Sequence, residues 1–558
     1  MMRWHTFLIA ATVLVPLLLA AASAVARQPR RLLPWGGAPG LLCALLVPSG
    51  SEVAMPQALL GAALRLDALG AAFLGLCAFI WTCAALYGRS YVAGQPHERM
   101  FCGFWQLTLA GSLGVCLAAD AITFYLAFAT VSLPAYVLVI HDRAPGSLRA
   151  GRVYIALAVL GEMALLMGLM LSVDAAGSIG IEAVRQALAQ APWRDAAVLG
   201  LLVGLGLKCG LVPLHGWLPL AHSAAPVPAS AVLSGAIVKA GLIGLMRFLP
   251  ADQALPVWPE VLTWTGLLTA YAAVLLGLAQ QLPKAVLAYS TMSQMGLMVA
   301  VLGAALGAPD GPAAGYLALT LLALQHGLAK GGLFLSAGLL ARESGRVRLA
   351  VLAAAALMGA VIAGLPLSGG AIAKLATKEP LGTGWAATLA GWSAAGTALL
   401  MLRFLFLEKA GPAGAAQPAP AAMRVAFGVM VVAALAAPWW FSLARGGPTL
   451  AELGSGSKLW SAAWPLLLAT ALALVAGRSR GGMPAPPVGD LAAWGESAWA
   501  AWWRRDAEAG PGAAPPPSGW GGGAGWTVLE RLARPLAGWP AVAAGLGLSV
   551  LVFVLALS

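Results

Sequence analysis

Runs of about twenty apolar residues, the length that crosses the hydrocarbon core of a bilayer, recur along nearly the whole chain. About sixteen can be placed, from 5–26 to 536–557, including segments at 32–48, 101–118, 196–222 and 349–380. In lipid, a backbone must satisfy its own N–H and C=O groups, and a helix does so within one segment. Charged residues make up only 10% of the chain, against about 25% in soluble domains. The expected fold class is an all-α polytopic membrane protein with about 14–16 transmembrane helices. The first segment ends in small residues like a signal peptide, but the rest of the chain is equally apolar, so it reads as an uncleaved span.

The net charge of +12 reflects basic loops at one membrane face; no basic-aromatic patch points to nucleic acid. Sixteen basic residues, among them Arg27, Arg89, Arg99, Arg143, Arg342 and Arg424, fall on one side, and six, including Arg185 and Arg194, on the other. The arginine-rich side is expected to be cytoplasmic in a bacterial-type plasma membrane, with the N-terminus outside. The six cysteines lie in or beside apolar segments with no CxxC or Cys/His cluster, so neither a metal site, a disulfide framework nor a cofactor is indicated. Redox centres, if the protein works with any, would belong to partner subunits.

Two spans are interrupted, one by GLVPLHGWLP (Gly210–Pro219) and one within AGLPLSGGAIAK (Ala363–Lys374), where Pro366–Gly370 is expected to be non-helical. Proline removes a backbone donor and glycine loosens the helix, which frees carbonyls at membrane depth. Paired breaks of this kind mark midplane ion paths in transporters. Near mid-span lie Glu162, Lys208, Lys239, His326, Lys330 and Lys374, with Asp67 and Asp120 nearer span ends and His215 inside the first break. An ionisable group there costs about 2.5–3.5 kcal/mol on insertion scales and is functional by default. One such lysine could snorkel or pack; six groups over five spans argue for a proton path. No phosphate loop, nucleophile–base pair or metal cluster supports catalysis within the chain.

At these residues the sequence resembles the antiporter-like membrane subunits of respiratory complex I, membrane-bound hydrogenases and Mrp-type cation/proton antiporters. LGLKCGLVPLHGWLPLAHSAAPVPASAVLSGAIVKAGLIGLMR (Leu205–Arg247), PKAVLAYSTMSQMGLM (Pro283–Met298), QHGLAKGGLFLSAG (Gln325–Gly338) and GLPLSGGAIAK (Gly364–Lys374) carry the likeness. It implies two inverted five-helix repeats, 101–247 and 258–406, each with a discontinuous helix. They would be preceded by N-terminal helices (1–100). Further helices (407–480), a Trp/Pro/Gly-rich interfacial segment and linker (481–535) and a last helix (536–558) would complete the chain. It also implies Lys208 as the first-repeat lysine, Lys239 as the connecting lysine, His326 and Lys330 as the central relay and Lys374 as the second terminal lysine. His215 lies close to that axis.

The family's glutamate before SLP is replaced by Ala129 in FYLAFATVSLPAY. Glu162 is the expected substitute partner of Lys208. The resemblance implies a subunit of a multi-subunit complex that translocates protons or Na⁺, with other membrane subunits and a peripheral redox module as partners, or an opposing ion gradient. The alternatives are a non-conducting scaffold and the proton-path subunit of an inorganic-carbon uptake complex. The charge count generates a first prediction. A reporter that is active only outside the cell should be active when fused ahead of residue 4 and inactive when inserted after Arg143. The reverse pattern would overturn the orientation.

Overall fold

The computed structural model describes residues 4–57, 61–251, 253, 255–411, 418–478 and 488. The expected interfacial helix, linker and final span of the C-terminal region lie outside these residues. Among the described residues, thirteen helices are long and apolar enough to cross a membrane.

In chain order, α1 (Trp4–Val25) and the short α2 (Ala38–Leu46) precede a hairpin of β1 (Ser51–Met55) and β2 (Ala62–Leu66). The strands are antiparallel, with Val53 opposite Leu64. Then come α3 (Ala68–Tyr91), α4 (Glu98–Leu117), α5 (Ala121–Val139), α6 (Pro145–Ala176), α7 (Ile181–Leu188), α8 (Arg194–Cys209) and α9 (Trp217–Ala224). These lead into α10 (Val227–Val232), a π turn (Leu233–Ile237), α11 (Lys239–Phe248), α12 (Trp258–Leu278), α13 (Pro283–Leu306) and α14 (Ala313–Leu340). The described helices end with α15 (Gly345–Ala363), α16 (Gly369–Ala376), α17 (Lys378–Leu381), α18 (Trp385–Ala410), α19 (Ala421–Ala444), α20 (Leu450–Leu453) and α21 (Gly456–Arg478).

The segment 32–48, expected to span, does not. Pro34, Gly36, Gly37 and Pro39 break it into a 3₁₀ turn and the nine residues of α2, about 14 Å of helix at 1.5 Å per residue. The first break is narrower than the sequence suggested. Gly210 to Gly216 is non-helical and Trp217 already opens α9. The second is shifted, covering Gly364 to Ser368, because Ser368 accepts Ala371 N–H as an N-cap and draws Gly369 and Gly370 into α16.

Burial ranks the helices. Val227–Phe248 and α13 are wholly buried over their apolar windows, whereas α21 is buried over only 11%. Lys239 therefore sits on an innermost helix and Lys330 on α14, 89% buried, and the rim faces outward with apolar side chains such as Trp460 and Leu467.

Two aspartates at helix starts fasten the shell to this interior. Asp120 caps α5 through Thr123 N–H (2.7 Å) and also accepts Ala63 N–H (2.8 Å), which ties the hairpin to the bundle. Asp67 caps α3 through Gly70 N–H (2.6 Å) and receives Arg247 from the end of α11 at 2.8 and 3.2 Å. Arg247 also donates to Cys116 O at 2.8 Å, so one guanidinium joins α3, α4 and α11. Arg247 is 5% exposed and Asp67 32%; removing the anion strands the more buried cation. Asp67→Asn, which keeps the cap, should destabilise the purified protein by about 1–3 kcal/mol. Asp67→Ala should cost about 1 kcal/mol more through loss of the cap. Thermal unfolding in detergent checks the order; equal losses would assign the whole effect to the ion pair.

Candidate functional site

Both breaks end their first helix in the same way. Gly210 and Gly364 have φ of +77° and +96°, the left-handed region that glycine enters without steric cost. At the first, Gly210 N–H bonds Leu207 O and Leu211 N–H bonds Gly206 O, each at 3.0 Å. At the second, Gly364 N–H bonds Val361 O (3.0 Å) and Leu365 N–H bonds Ala360 O (2.9 Å). These are paired Schellman closures, and Pro213 or Pro366 then forbids the helix from resuming at once. Two further donors serve the first break: Trp217 Nε1 bonds Leu207 O at 2.8 Å, and Val212 N–H bonds Thr269 Oγ1 at 3.0 Å. His215 is buried within it, and its carbonyl accepts Leu218 N–H at 2.9 Å, which opens α9.

Lys208 lies two residues before the first break and is 3% exposed. Its Nζ donates to Ser132 Oγ at 2.8 Å and approaches Tyr154 OH at 3.5 Å. The rings of Phe128, Tyr154 and Trp217 surround it with centroids 5.6, 5.7 and 5.8 Å away, an arrangement that stabilises a desolvated cation. The cavity beside it measures about 10 Å³, close to the space one water needs.

Glu162 faces the same Ser132 hydroxyl and interacts electrostatically with Lys208. Among the described residues, however, no direct ion pair joins the two within 4.0 Å, and Glu162 Oε1 has no hydrogen-bond partner. The expected pair is thus indirect, because Ser132 and Tyr154 occupy the ammonium. Ala129 stands three residues before Ser132 on α5, and residues three apart share a helix face.

The second group is built on α11 and α14. Val238 N–H reaches back five residues to Leu233 O (3.2 Å) in the π turn, which leaves Ser234 O to a side chain. Lys239 Nζ takes it at 2.6 Å and contacts His326 Nδ1 at 2.7 Å, both residues fully buried. Ser234 Oγ meets Thr291 Oγ1 at 2.7 Å. One turn along α14, the fully buried Lys330 donates to Leu287 O at 3.0 Å.

Lys374 forms a third group on α16 and donates back across the second break to Ala363 O. A cavity of about 100 Å³ adjoins it, lined also by Lys378, Lys458 and Ser461, large enough for several waters. Among the described residues no direct hydrogen bond connects Lys208 to Lys239 or Lys330 to Lys374. The sequence-predicted residues therefore gather into three clusters, with Lys239, His326 and Lys330 together.

Sequence reasoning missed the residues that complete these clusters. Ser132 and Tyr154 had no charge to mark them. On α13, Thr291 bonds Ser234, Gln294 donates to Thr397 Oγ1 at 2.8 Å, and the buried hydroxyls of Ser290 and Ser293 have no hydrogen-bond partner among the described residues. Buried polar atoms of this kind are served by water. The run YSTMSQ, with Ser290, Thr291, Ser293 and Gln294 inside an apolar helix, was the available signal.

Residues 118–375 match the family model described as NADH:quinone oxidoreductase/Mrp antiporter, TM. Hydrogenase-4 component B of Escherichia coli is 33% identical over 288 residues, covering 49% of this chain and 43% of that protein. NADH-quinone oxidoreductase subunit N of Desulforudis audaxviator is 31% identical over 294 residues, covering 51% and 57%. The chain thus spans about half the length of the curated relatives it matches. The solved Mrp complex from Dietzia sp. contains a chain that superposes with a TM-score of 0.70 at 22% identity, over 96% of this chain and 62% of that one, which shows a shared fold. The match to the NADH:quinone oxidoreductase/Mrp antiporter model thus falls on the part of the chain, residues 118–375, that carries both helix breaks together with Lys208, Lys239, His326, Lys330 and Lys374.

Proposed function

We propose that this protein is a membrane subunit of a multi-subunit cation-translocating complex in a bacterial-type plasma membrane. It conducts protons, or Na⁺, along the row Lys208, Lys239, His326, Lys330 and Lys374, with Glu162 and His215 beside its first half. The observation that carries this reading is the 2.7 Å contact between Lys239 Nζ and His326 Nδ1, two fully buried side chains. Two basic nitrogens so close, away from water, share one proton between them rather than holding two. Such a pair passes a proton on when a neighbouring charge changes. The matched closures at Gly210 and Gly364 support a division into inverted repeats near 101–247 and 258–406. Energy enters from partner subunits, a redox module or an opposing ion gradient.

Lys239→Met keeps length and removes the charge. It should lower proton flux at least tenfold in proteoliposomes holding the whole complex, with assembly unchanged. Undiminished flux would rule out the central cluster as the path.

A scaffold role for the first half is the second reading, favoured by Ala129 and by the indirect contact between Glu162 and Lys208. Glu162→Gln discriminates: on the conduction reading it abolishes transfer through the first half. Adding Ala129→Glu to it should restore part of the flux, since that position lies one turn from the Ser132 that holds Lys208. Full flux in Glu162→Gln alone would favour the scaffold for that half.

A further inference from the structure

A cavity of about 430 Å³ opens beside the start of α4, which carries Arg99, and the α5–α6 loop, which carries Arg143, on the arginine-rich face. Its wall includes Gln95 and His97 after α3, His141 and Asp142 between α5 and α6, Ala224 at the end of α9 and Lys284 in the first turn of α13. His141 Nε2 meets Gln95 Oε1 at 3.2 Å and its ring lies edge-on to Phe101. Burial, then the charge of His97, holds the His141 imidazole below its usual range, against the opposing pull of Asp142. No conduction role yet described uses any of these groups.

The inner end of this vestibule lies close to the row. Lys284 Nζ donates to Ala225 O at 2.5 Å. Three residues further along α13, Leu287 O accepts Lys330 Nζ, and three residues of helix amount to about 4.5 Å. On the facing side, the last turn of α9 carries His222, fully buried, its ring stacked on Phe334 with centroids 4.9 Å apart. Phe334 is four residues beyond Lys330 on α14, hence on the same face. Both ring nitrogens of His222 lack a hydrogen-bond partner among the described residues, while the charges of Lys284, Lys330 and Lys239 all act on it. Its backbone is held firmly: Ser230 Oγ donates to His222 O at 3.0 Å and approaches Ala225 O at 3.2 Å. A buried imidazole with two unserved nitrogens is costly unless water or a transient proton serves them.

We propose that this vestibule is where protons leave the water of the arginine-rich face, and that Lys284 and the His222 imidazole pass them to Lys330 and the central cluster. The inference rests on the conduction reading above. In the transfer His222 gains a proton on one ring nitrogen and releases one from the other, so the imidazole carries no net change.

The test uses the whole complex in proteoliposomes. Wild type, Lys239→Met, His222→Phe and Ala224→Cys are compared, the last before and after a cationic, membrane-impermeant thiol reagent applied from the arginine-rich side. His222→Phe, which keeps a ring on Phe334, should lower flux at least tenfold. Labelled Ala224→Cys should lose most of the flux it shows unlabelled, a comparison that does not depend on His222→Phe folding. Loss of flux in Lys239→Met together with full flux in His222→Phe, or in fully labelled Ala224→Cys, would overturn this inlet while leaving the conduction reading intact. Full flux in Lys239→Met would overturn both.

Discussion

An ammonium group at membrane depth must have an acceptor, and most of this architecture derives from that demand. Regular helices offer few, because their carbonyls are already engaged. The chain supplies acceptors by spoiling helices locally. The π turn releases Ser234 O for Lys239 and the second break releases Ala363 O for Lys374, while Lys330 shares Leu287 O, inside regular α13, with the Thr291 hydroxyl. Only Lys208 relies on a side-chain hydroxyl, and it adds an aromatic cage. Backbone irregularity and buried charge are two sides of one arrangement.

Placing the π turn at the centre keeps its irregular backbone away from lipid. Val227–Phe248 is wholly buried, so its π turn meets protein on every side. The rim helices can stay regular and apolar. Asp67 and Arg247 then bind an outer helix to the end of an inner one, where the chain is close to the water layer and an ion pair is tolerated.

The spans and both breaks were legible because hydropathy and proline act locally: about twenty apolar residues cross, and Pro213 or Pro366 halts a helix wherever it stands. Segment 32–48 misled because its composition is apolar while Pro34 and Pro39 limit its helix to nine residues. The lysines announced themselves by charge. Their partners did not, since Ser132, Thr291 and the π turn gain meaning only from contacts between segments far apart in sequence. The indirect link between Glu162 and Lys208 lay beyond reach for the same reason: spacing along two helices cannot say which hydroxyl intervenes. His222 was overlooked because a histidine next to a serine near a proline reads as helix-end chemistry.

The π turn has one more consequence. Each residue of an α-helix advances the direction of its side chain by about 100°, so the extra residue in this turn swings everything after it by roughly that angle. Lys239 owes its aim at His326 to this offset. A chain one residue shorter between Val232 and Val238 would keep its span, its hydropathy and its lysine, yet would aim that lysine at a different neighbour. The azimuth of the central charge is thus encoded by a count of residues rather than by their kinds.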